Sequence, residues 1–129
     1  MKKIFVYLVA ILILLGLAAC RTKSEYDHVS MLSLIAYPEQ YDGKKIRVEG
    51  YWSDIGFCLS QHSSDYMLPN QFFILRFSES YKGLEYSEFP QYVSVEGVFI
   101  NEVQDRVLHG DWYYGIIDEV TRIEPSDKQ

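Results

Sequence analysis

Common catalytic motifs and an excess of positive charge are both missing from this 129-residue sequence. It has no Gly-Xaa-Ser-Xaa-Gly nucleophile elbow and no glycine-rich loop of the kind that cradles phosphate. Its 18 acidic residues outnumber its 12 basic ones, which gives a formal net charge of −6. An acidic protein is repelled by nucleic acid and by anionic lipid head groups. We therefore expect no nucleic-acid partner.

Metal-ligating side chains are also few. The three histidines are His28, His62 and His109, and Asp65 follows His62 as Asp111 follows His109. A catalytic zinc ion needs three protein ligands in a fixed geometry, and each pair supplies only two. The pairs could therefore form a metal site only if their two loops met. Histidines in polar loops are usually just solvated. The sequence therefore predicts neither a metal site nor another cofactor.

The longest uncharged run lies at the start of the chain. Lys2 and Lys3 precede residues 4–19, which carry no charge, and Leu17-Ala18-Ala19 leads into Cys20. A basic start, an apolar stretch and small residues before a cleavage site are the layout of a secretory signal peptide. The run is short for a membrane span, which needs about 20 residues. An uncleaved anchor and an ordinary signal peptide are the alternatives.

The cysteine at the end of the run makes this segment similar to the signal of bacterial lipoproteins. That resemblance implies a signal peptide over residues 1–19, cleavage before Cys20, and lipid such as palmitate on the Cys20 thiol. It implies a protein anchored in the cell envelope, facing the periplasm or the cell exterior. Gram-negative lipoproteins retained at the inner membrane often have Asp after this cysteine, so Arg21 implies the outer membrane if the host is Gram-negative. Lipid chains contribute about 0.8 kcal/mol per buried CH2, so several of them hold a domain firmly.

Lipidation would leave Cys58 without a disulfide partner, since the chain has two cysteines. Its neighbours Phe57 and Leu59 are apolar, and a free cysteine usually behaves as a small buried apolar group. We expect a buried Cys58, with a reactive thiol as the alternative. Loss of Lys2 and Lys3 with the signal would leave ten basic against 18 acidic residues, a formal charge of −8.

One small domain fits the remaining length. We expect a polar tether over residues 20–27, the folded domain over residues 28–124 and a polar tail over residues 125–129.

The domain begins with a segment of helical periodicity. Apolar residues recur at helical spacing over residues 28–37, which predicts a helix there. Asp27 or Ser30 could cap its start, and Pro38 would end it.

Five later segments have the composition and alternation of strands. In the first, Ile46, Val48, Gly50 and Trp52 are predicted to share one face, and Arg47, Glu49 and Tyr51 the other. The predicted strands are residues 44–54, 55–60, 71–77, 91–100 and about 112–123. Residues 61–70 are loop-like, residues 78–90 could hold a helical turn or a long loop, and residues 101–111 connect the last two strands.

Two of these strands contain a similar tripeptide. Val48-Glu49-Gly50 is echoed by Val95-Glu96-Gly97, and a glycine inside a strand often marks a bulge or a bend. We interpret this similarity as two strands that each bend at the glycine and form two sides of one small barrel. The alternative is that the similarity arises by chance.

The predicted fold class is all-β with one N-terminal helix, as a five-stranded OB-fold-like Greek-key barrel after a cleaved signal peptide. The main alternative is an open sheet packed on the first helix. Three groups of residues resemble a family of small, uncharacterised bacterial envelope proteins with an OB-fold-like domain. They are Ser33-Leu34-Ile35-Ala36, Pro38-Glu39 and Tyr41-Asp42-Gly43-Lys44-Lys45-Ile46-Arg47-Val48-Glu49-Gly50 at the start, then Tyr92-Val93-Ser94-Val95-Glu96-Gly97, and finally Val120-Thr121-Arg122-Ile123-Glu124. The resemblance covers roughly residues 28–124 and implies a fold rather than an activity.

OB-folds bind ligands on the face of their second and third strands and in neighbouring loops. This would bring together aromatic and basic side chains able to hold a peptide, a glycan or a lipid head group. The candidate ligand-binding residues are Tyr51, Phe73, Arg76, Arg106 and His109. In the alternative interpretation Phe73 belongs to the core and the arginines are ordinary surface residues.

The leading functional hypothesis is a lipid-anchored, non-enzymatic envelope protein that acts as an interaction module with an unknown protein partner. A lipoprotein that binds a small ligand or a glycan is the second hypothesis, and exposure of Tyr51 and Arg76 in one groove would favour it. An envelope hydrolase is the third. No catalytic residue is predicted.

Overall fold

The computed structural model describes residues 1–18, 23–68, 70–85, 88, 90–101 and 113–127. These residues form one six-stranded sheet with few helices. The elements are α1 (Lys2–Ala18), β1 (Asp27–Val29), α2 (Met31–Ala36), a 3-10 helix (Pro38–Gln40), β2 (Lys45–Ser53), β3 (Gly56–Cys58), α3 (Gln61–Asp65), β4 (Phe72–Gly83), β5 (Gln91–Ile100) and β6 (Tyr113–Pro125).

Hydrogen bonding in the sheet closes into a ring. It passes from β2 through β3, β4, β6 and β5, and β5 returns to β2 along eight residue pairs from Lys45 to Trp52. β4 and β6 are parallel, whereas the other ring neighbours are antiparallel. The expectation of a mostly β fold is confirmed. The strand count differs from the expected five, because β1 pairs with residues 46–48 of β2 as a sixth strand.

The main core lies on one face of this ring. Ile46, Val48 and Trp52 are buried there, as the alternation of β2 predicts. α2 adds Met31 and Leu34. The other buried core side chains come from β3 to β6: Phe57, Phe73, Val93, Val95, Phe99, Ile117, Val120 and Ile123.

The helix predicted over residues 28–37 is shorter in the structure. It begins at Met31, after Ser30, whose hydroxyl accepts a hydrogen bond from the Ser33 amide at 3.1 Å. His28 and Val29 belong to β1 instead, because pairing with β2 satisfies their backbone. The helix ends before Pro38 as predicted.

The chain just before the domain is also held by the sheet. Asp27 begins β1, the hydroxyl groups of Tyr26 and Thr121 lie 3.1 Å apart, and Glu25 forms an ion pair with Lys45. The sheet therefore reaches into the segment for which a tether is expected.

Residues 61–70, expected to be loop-like, contain the helix α3. Ser60 caps it by accepting a hydrogen bond from the Ser63 amide at 3.2 Å. Hydrophobic periodicity could not reveal this helix, because local serine hydrogen bonds define it rather than an apolar stripe.

β4 also differs from the prediction, which ended it at Phe77. It continues to Gly83 through register shifts, and Lys82 and Gly83 pair with Arg122 and Ile123 of β6. Pairing with β6 is restored at Lys82 and Gly83 after a register shift that spans residues 78–81, and the sequence after Phe77 shows no period that would predict it. β6 likewise continues to Pro125, which pairs with Val93.

The echoed tripeptides are direct neighbours rather than two sides of the fold. Val48 pairs with Val95 in the uninterrupted β2–β5 ladder. A register shift does occur between Glu96 and Val98 in the pairing with β6, so Gly97 lies at an irregularity. Gly50 has a different role, because a Cβ atom there would lie 2.5 Å from the Met31 Cε atom and 2.7 Å from the Cys58 carbonyl oxygen.

Candidate functional site

The five predicted ligand-binding residues do not form one exposed surface in the described part of the chain. Tyr51 is 7% exposed and Phe73 is 1% exposed, so both are buried, whereas Arg76 is exposed. Arg106 and His109 lie outside the described residues. Burial of Phe73 agrees with the alternative that assigned it to the core. Tyr51 and Arg76 are not exposed together in one groove.

Tyr51 is buried although it points away from the main core. It packs with Cys58 and Phe72 in a second buried cluster, to which Tyr92 and Tyr113 add half-buried rings. The Tyr51 and Tyr92 rings meet edge to face with 5.1 Å between their centroids. We call these five residues the aromatic face. Burial, and then the nearby Asp65 carboxylate, raise the pKa of Tyr51.

Residues 60–68, which include α3, lie over this aromatic face, and we call them the cover segment. The Gln61 amide donates a hydrogen bond to the Tyr92 hydroxyl at 3.3 Å, and the Ser64 hydroxyl donates to the Ser53 hydroxyl at 2.8 Å. This connection between β3 and β4 explains the burial of Tyr51, because it covers the side of β2 that lies opposite the main core.

Cys58 is a buried free cysteine, as predicted. Its thiol donates to the carbonyl oxygens of Ser60 and Tyr51 at 3.3 and 3.5 Å. Burial raises the pKa of Cys58 to about 11. A nucleophilic cysteine requires a lowered pKa and access to substrate, so this environment keeps the thiol neutral and unreactive.

A groove lies where β2 turns into β3, and we call it the aromatic groove. Trp52, Phe73, Leu75 and Phe77 line it beneath the exposed Ile55 of the turn, and its volume is about 260 Å³. The Trp52 and Phe77 rings lie 6.4 Å apart between centroids. Sequence reasoning did not single out this groove. The alternation of β2 predicted the inward position of Trp52. The distance from Trp52 to the β4 side chains depends on how the ring of strands closes, which the sequence does not show.

A second groove of about 360 Å³ lies between the β1–α2 segment and β2. His28, Met31 and Leu32 line one side, and Arg47 and Glu49 the other. Arg47 is already occupied, because its guanidinium donates to Ser94, Glu96 and Glu124. Arg47 is therefore not free to bind an acidic ligand in this groove.

The proposed histidine–aspartate pairs do not complete a metal centre within the described residues, where no group of three potential ligands occurs. His62 lies at α3, with its ring centroid 4.5 Å from that of Tyr66. His109 and Asp111 lie outside the described residues, so the absence of a metal site there stays a prediction.

Comparison with known proteins adds no relative: no family model, no curated protein and no solved structure matches the chain.

Proposed function

We propose that the protein is a lipid-anchored, non-enzymatic envelope protein whose domain is an interaction module. The observation that carries this proposal is the uncharged run over residues 4–19, between Lys3 and Cys20. α1 covers most of this run, and its side chains at Ile4, Phe5 and Tyr7 are largely exposed. Apolar side chains of this kind favour an apolar environment such as a bilayer or the signal-processing machinery. Among the described residues, no helix is both long and apolar enough to cross a membrane.

We further propose that the closed ring of β2 to β6 is an OB-fold-like Greek-key barrel. Five strands, a return of β5 to β2 and a core on one face of the ring support this fold. Such a domain does not by itself specify a ligand. With the signal removed it would carry a charge of −8, which suits a soluble domain that does not adhere to nucleic acid.

A non-enzymatic role is supported by the chemistry of the described side chains. Cys58 is neutral at physiological pH, since burial raises the pKa of its thiol to about 11. The buried hydroxyls of Ser63 and Ser64 bond to Gln71 and Ser53 rather than to a histidine. A serine nucleophile needs an adjacent base, and these contacts supply none.

The anchor is tested by comparing the native chain with the Cys20→Ser variant in a bacterial host. We expect the native chain to gain the mass of lipid and to fractionate with membranes. Cys20→Ser should fold normally and lose its lipid and envelope location. Cys58→Ala is the matched control, because it removes the other cysteine without touching the anchor. Membrane association of Cys20→Ser through an unchanged N-terminus would contradict a lipid anchor.

The interaction role is tested by detergent pull-down with the native chain and with Cys20→Ser. We expect the native chain to capture a specific envelope protein. Absence of a specific partner in both preparations would contradict the module. In a Gram-negative host, separation of the two membranes should place the native chain in the outer membrane, since Arg21 follows Cys20.

The aromatic groove favours a second candidate, binding of a small ligand or a glycan. Aromatic rings stack on sugar rings and on other flat apolar groups, and Phe77 at the groove is 37% exposed. Chemical-shift mapping with a panel of short oligosaccharides should perturb Ile55 and Phe77, and Phe77→Ala should abolish the effect. Tyr37→Ala is the control, because Tyr37 is an exposed aromatic residue that does not line the groove. Shifts absent from the groove would contradict this candidate.

A further inference from the structure

We propose that the cover segment, residues 60–68, opens from the aromatic face while the sheet ring stays folded. This inference is independent of the lipid anchor. It concerns access to a surface that is closed in the structure and that opening would present to solvent or to a partner.

The contacts that close the cover segment are mainly polar. The Ser63 hydroxyl donates to Gln71 Oε1 at 2.5 Å, and the Ser64 hydroxyl donates to Ser53 at 2.8 Å. None of residues 60–68 contributes an apolar side chain to either buried cluster. The side chains of the cover segment itself therefore add little to the buried apolar clusters, and segments with few buried apolar side chains of their own are those that open below the global unfolding free energy.

The surface beneath the cover segment has the opposite character. Tyr51, Cys58 and Phe72 are all under 8% exposed, and Tyr92 and Tyr113 pack against them. Strand pairing holds these side chains in place from below, since Tyr51 pairs with Tyr92 and Phe72 pairs with Tyr113. The aromatic face therefore remains assembled when the cover segment leaves.

The end of the cover segment contains backbone strain that favours opening. Met67 has a φ of 48°, in the left-handed region that side chains other than glycine and asparagine rarely adopt. The Met67 side chain is 51% exposed and that of Tyr66 is 69% exposed, so packing of these side chains compensates little for the strain.

Cys58 provides a direct readout, because its buried thiol reacts with iodoacetamide only when the cover segment opens or the whole domain unfolds. The experiment uses the full-length Cys20→Ser variant, in which Cys58 is the single thiol. The labelling rate is measured across low urea concentrations. Local opening exposes far less surface than global unfolding does, so it gives a nearly urea-independent rate, whereas global unfolding gives the full urea slope.

Two substitutions distinguish the cover segment from the ring. Ser64→Ala removes a closing hydrogen bond and should accelerate labelling about two- to tenfold in the urea-independent range. Ile123→Val, in the buried ring core, should lower the urea midpoint and leave that rate unchanged. If Ser64→Ala fails to fold, Met67→Gly tests the proposal, because it is expected to change the labelling rate in the opposite sense. Glycine relieves the strain of the closed form, so labelling should slow about threefold.

A full urea slope beginning at zero denaturant would overturn the proposal. Equal acceleration by Ser64→Ala and Ile123→Val would also overturn it, because both results mean that Cys58 reacts only through global unfolding.

Discussion

At the scale of single residues, neighbours in space decide what a side chain can do. Gly50 is required because β2 passes close to Met31 and to the Cys58 carbonyl group, at 2.5 and 2.7 Å from the position of an added Cβ atom. The Cys58 carbonyl belongs to β3 and cannot move without disturbing the ladder. Gly43 differs, since its φ is +74° but nothing lies within 4 Å.

Gly50→Ala should therefore destabilise the domain by about 2–3 kcal/mol through overpacking. Gly43→Ala is the control and should cost about 1 kcal/mol, because only the backbone conformation opposes it. Urea unfolding of both variants measures the difference. A cost at Gly50 no greater than that at Gly43 would contradict the close approach.

Cys58 makes stability depend on alkaline pH. Burial raises the pKa of the thiol from an ordinary value of 9.0 to about 11, so the folded state favours the neutral form. This contribution is complete below about pH 9 and is lost as the pH rises towards about 11. Between about pH 8 and about pH 10.5, the Cys20→Ser chain should lose more unfolding free energy than Cys20→Ser with Cys58→Ala.

Urea unfolding at the two pH values checks this prediction. Burial is the main cause of the raised pKa of Tyr51 and Cys58 is a minor one, so most of the Tyr51 contribution is common to both chains. Equal losses in the two chains would contradict a buried neutral thiol.

At the scale of elements, Arg47 joins three strands across the outside of the sheet. From β2 its Nε donates to Ser94 of β5 at 2.8 Å, and its guanidinium also bonds Glu96 of β5 and Glu124 of β6 at 3.3 Å. Three directed contacts fit the planar fork of arginine and exceed what a lysine ammonium group can reach at once.

Arg47→Lys should cost about 1 kcal/mol of unfolding free energy, a value reduced for the partial exposure of the cluster. Arg122→Lys is the matched control, because Arg122 is half exposed and bonds Glu124 at 3.2 Å. That exchange should cost less than about 0.5 kcal/mol. Comparable losses at the two positions in urea unfolding would show that the Arg47 contacts do not join the strands.

The same scale shows where sequence patterns were sufficient and where they were not. Strand β5 was predicted over residues 91–100 and is found there, because its alternation and its burial coincide. Phe77 ended the predicted third strand, yet β4 continues for six more residues, of which Lys82 and Gly83 pair with β6. Periodicity reports which face is buried, and it cannot report a distant strand that holds a polar segment extended.

At the scale of the whole molecule, the ring makes the strands interdependent. β2 pairs with β1, β3 and β5, and β5 and β6 both contribute side chains to the main core. Removing any ring strand would leave two neighbours with unpaired backbone groups, which are costly to leave unsatisfied. The ring should therefore unfold as one unit.

Far-UV and near-UV circular dichroism should give the same urea midpoint for the full-length Cys20→Ser chain, since strand pairing and aromatic packing would be lost together. The 11 tyrosines and two tryptophans provide the near-UV signal. An aromatic signal lost at lower urea than the strand signal would contradict a single cooperative unit. Opening of the cover segment is compatible with this result, because it leaves the ring folded and exposes far less surface than global unfolding.

The sequence alone determined the β-rich character, the buried side of β2 and the burial of Cys58, because each follows from local composition and alternation. It also predicts the anchor at Cys20, which depends on a short linear pattern. The tertiary structure decided that the echoed tripeptides are neighbours, that β1 joins the sheet, and that Tyr51 is covered. These features arise from contacts between segments far apart in the chain, or from serine hydrogen bonds, and neither leaves a hydrophobic period in the sequence.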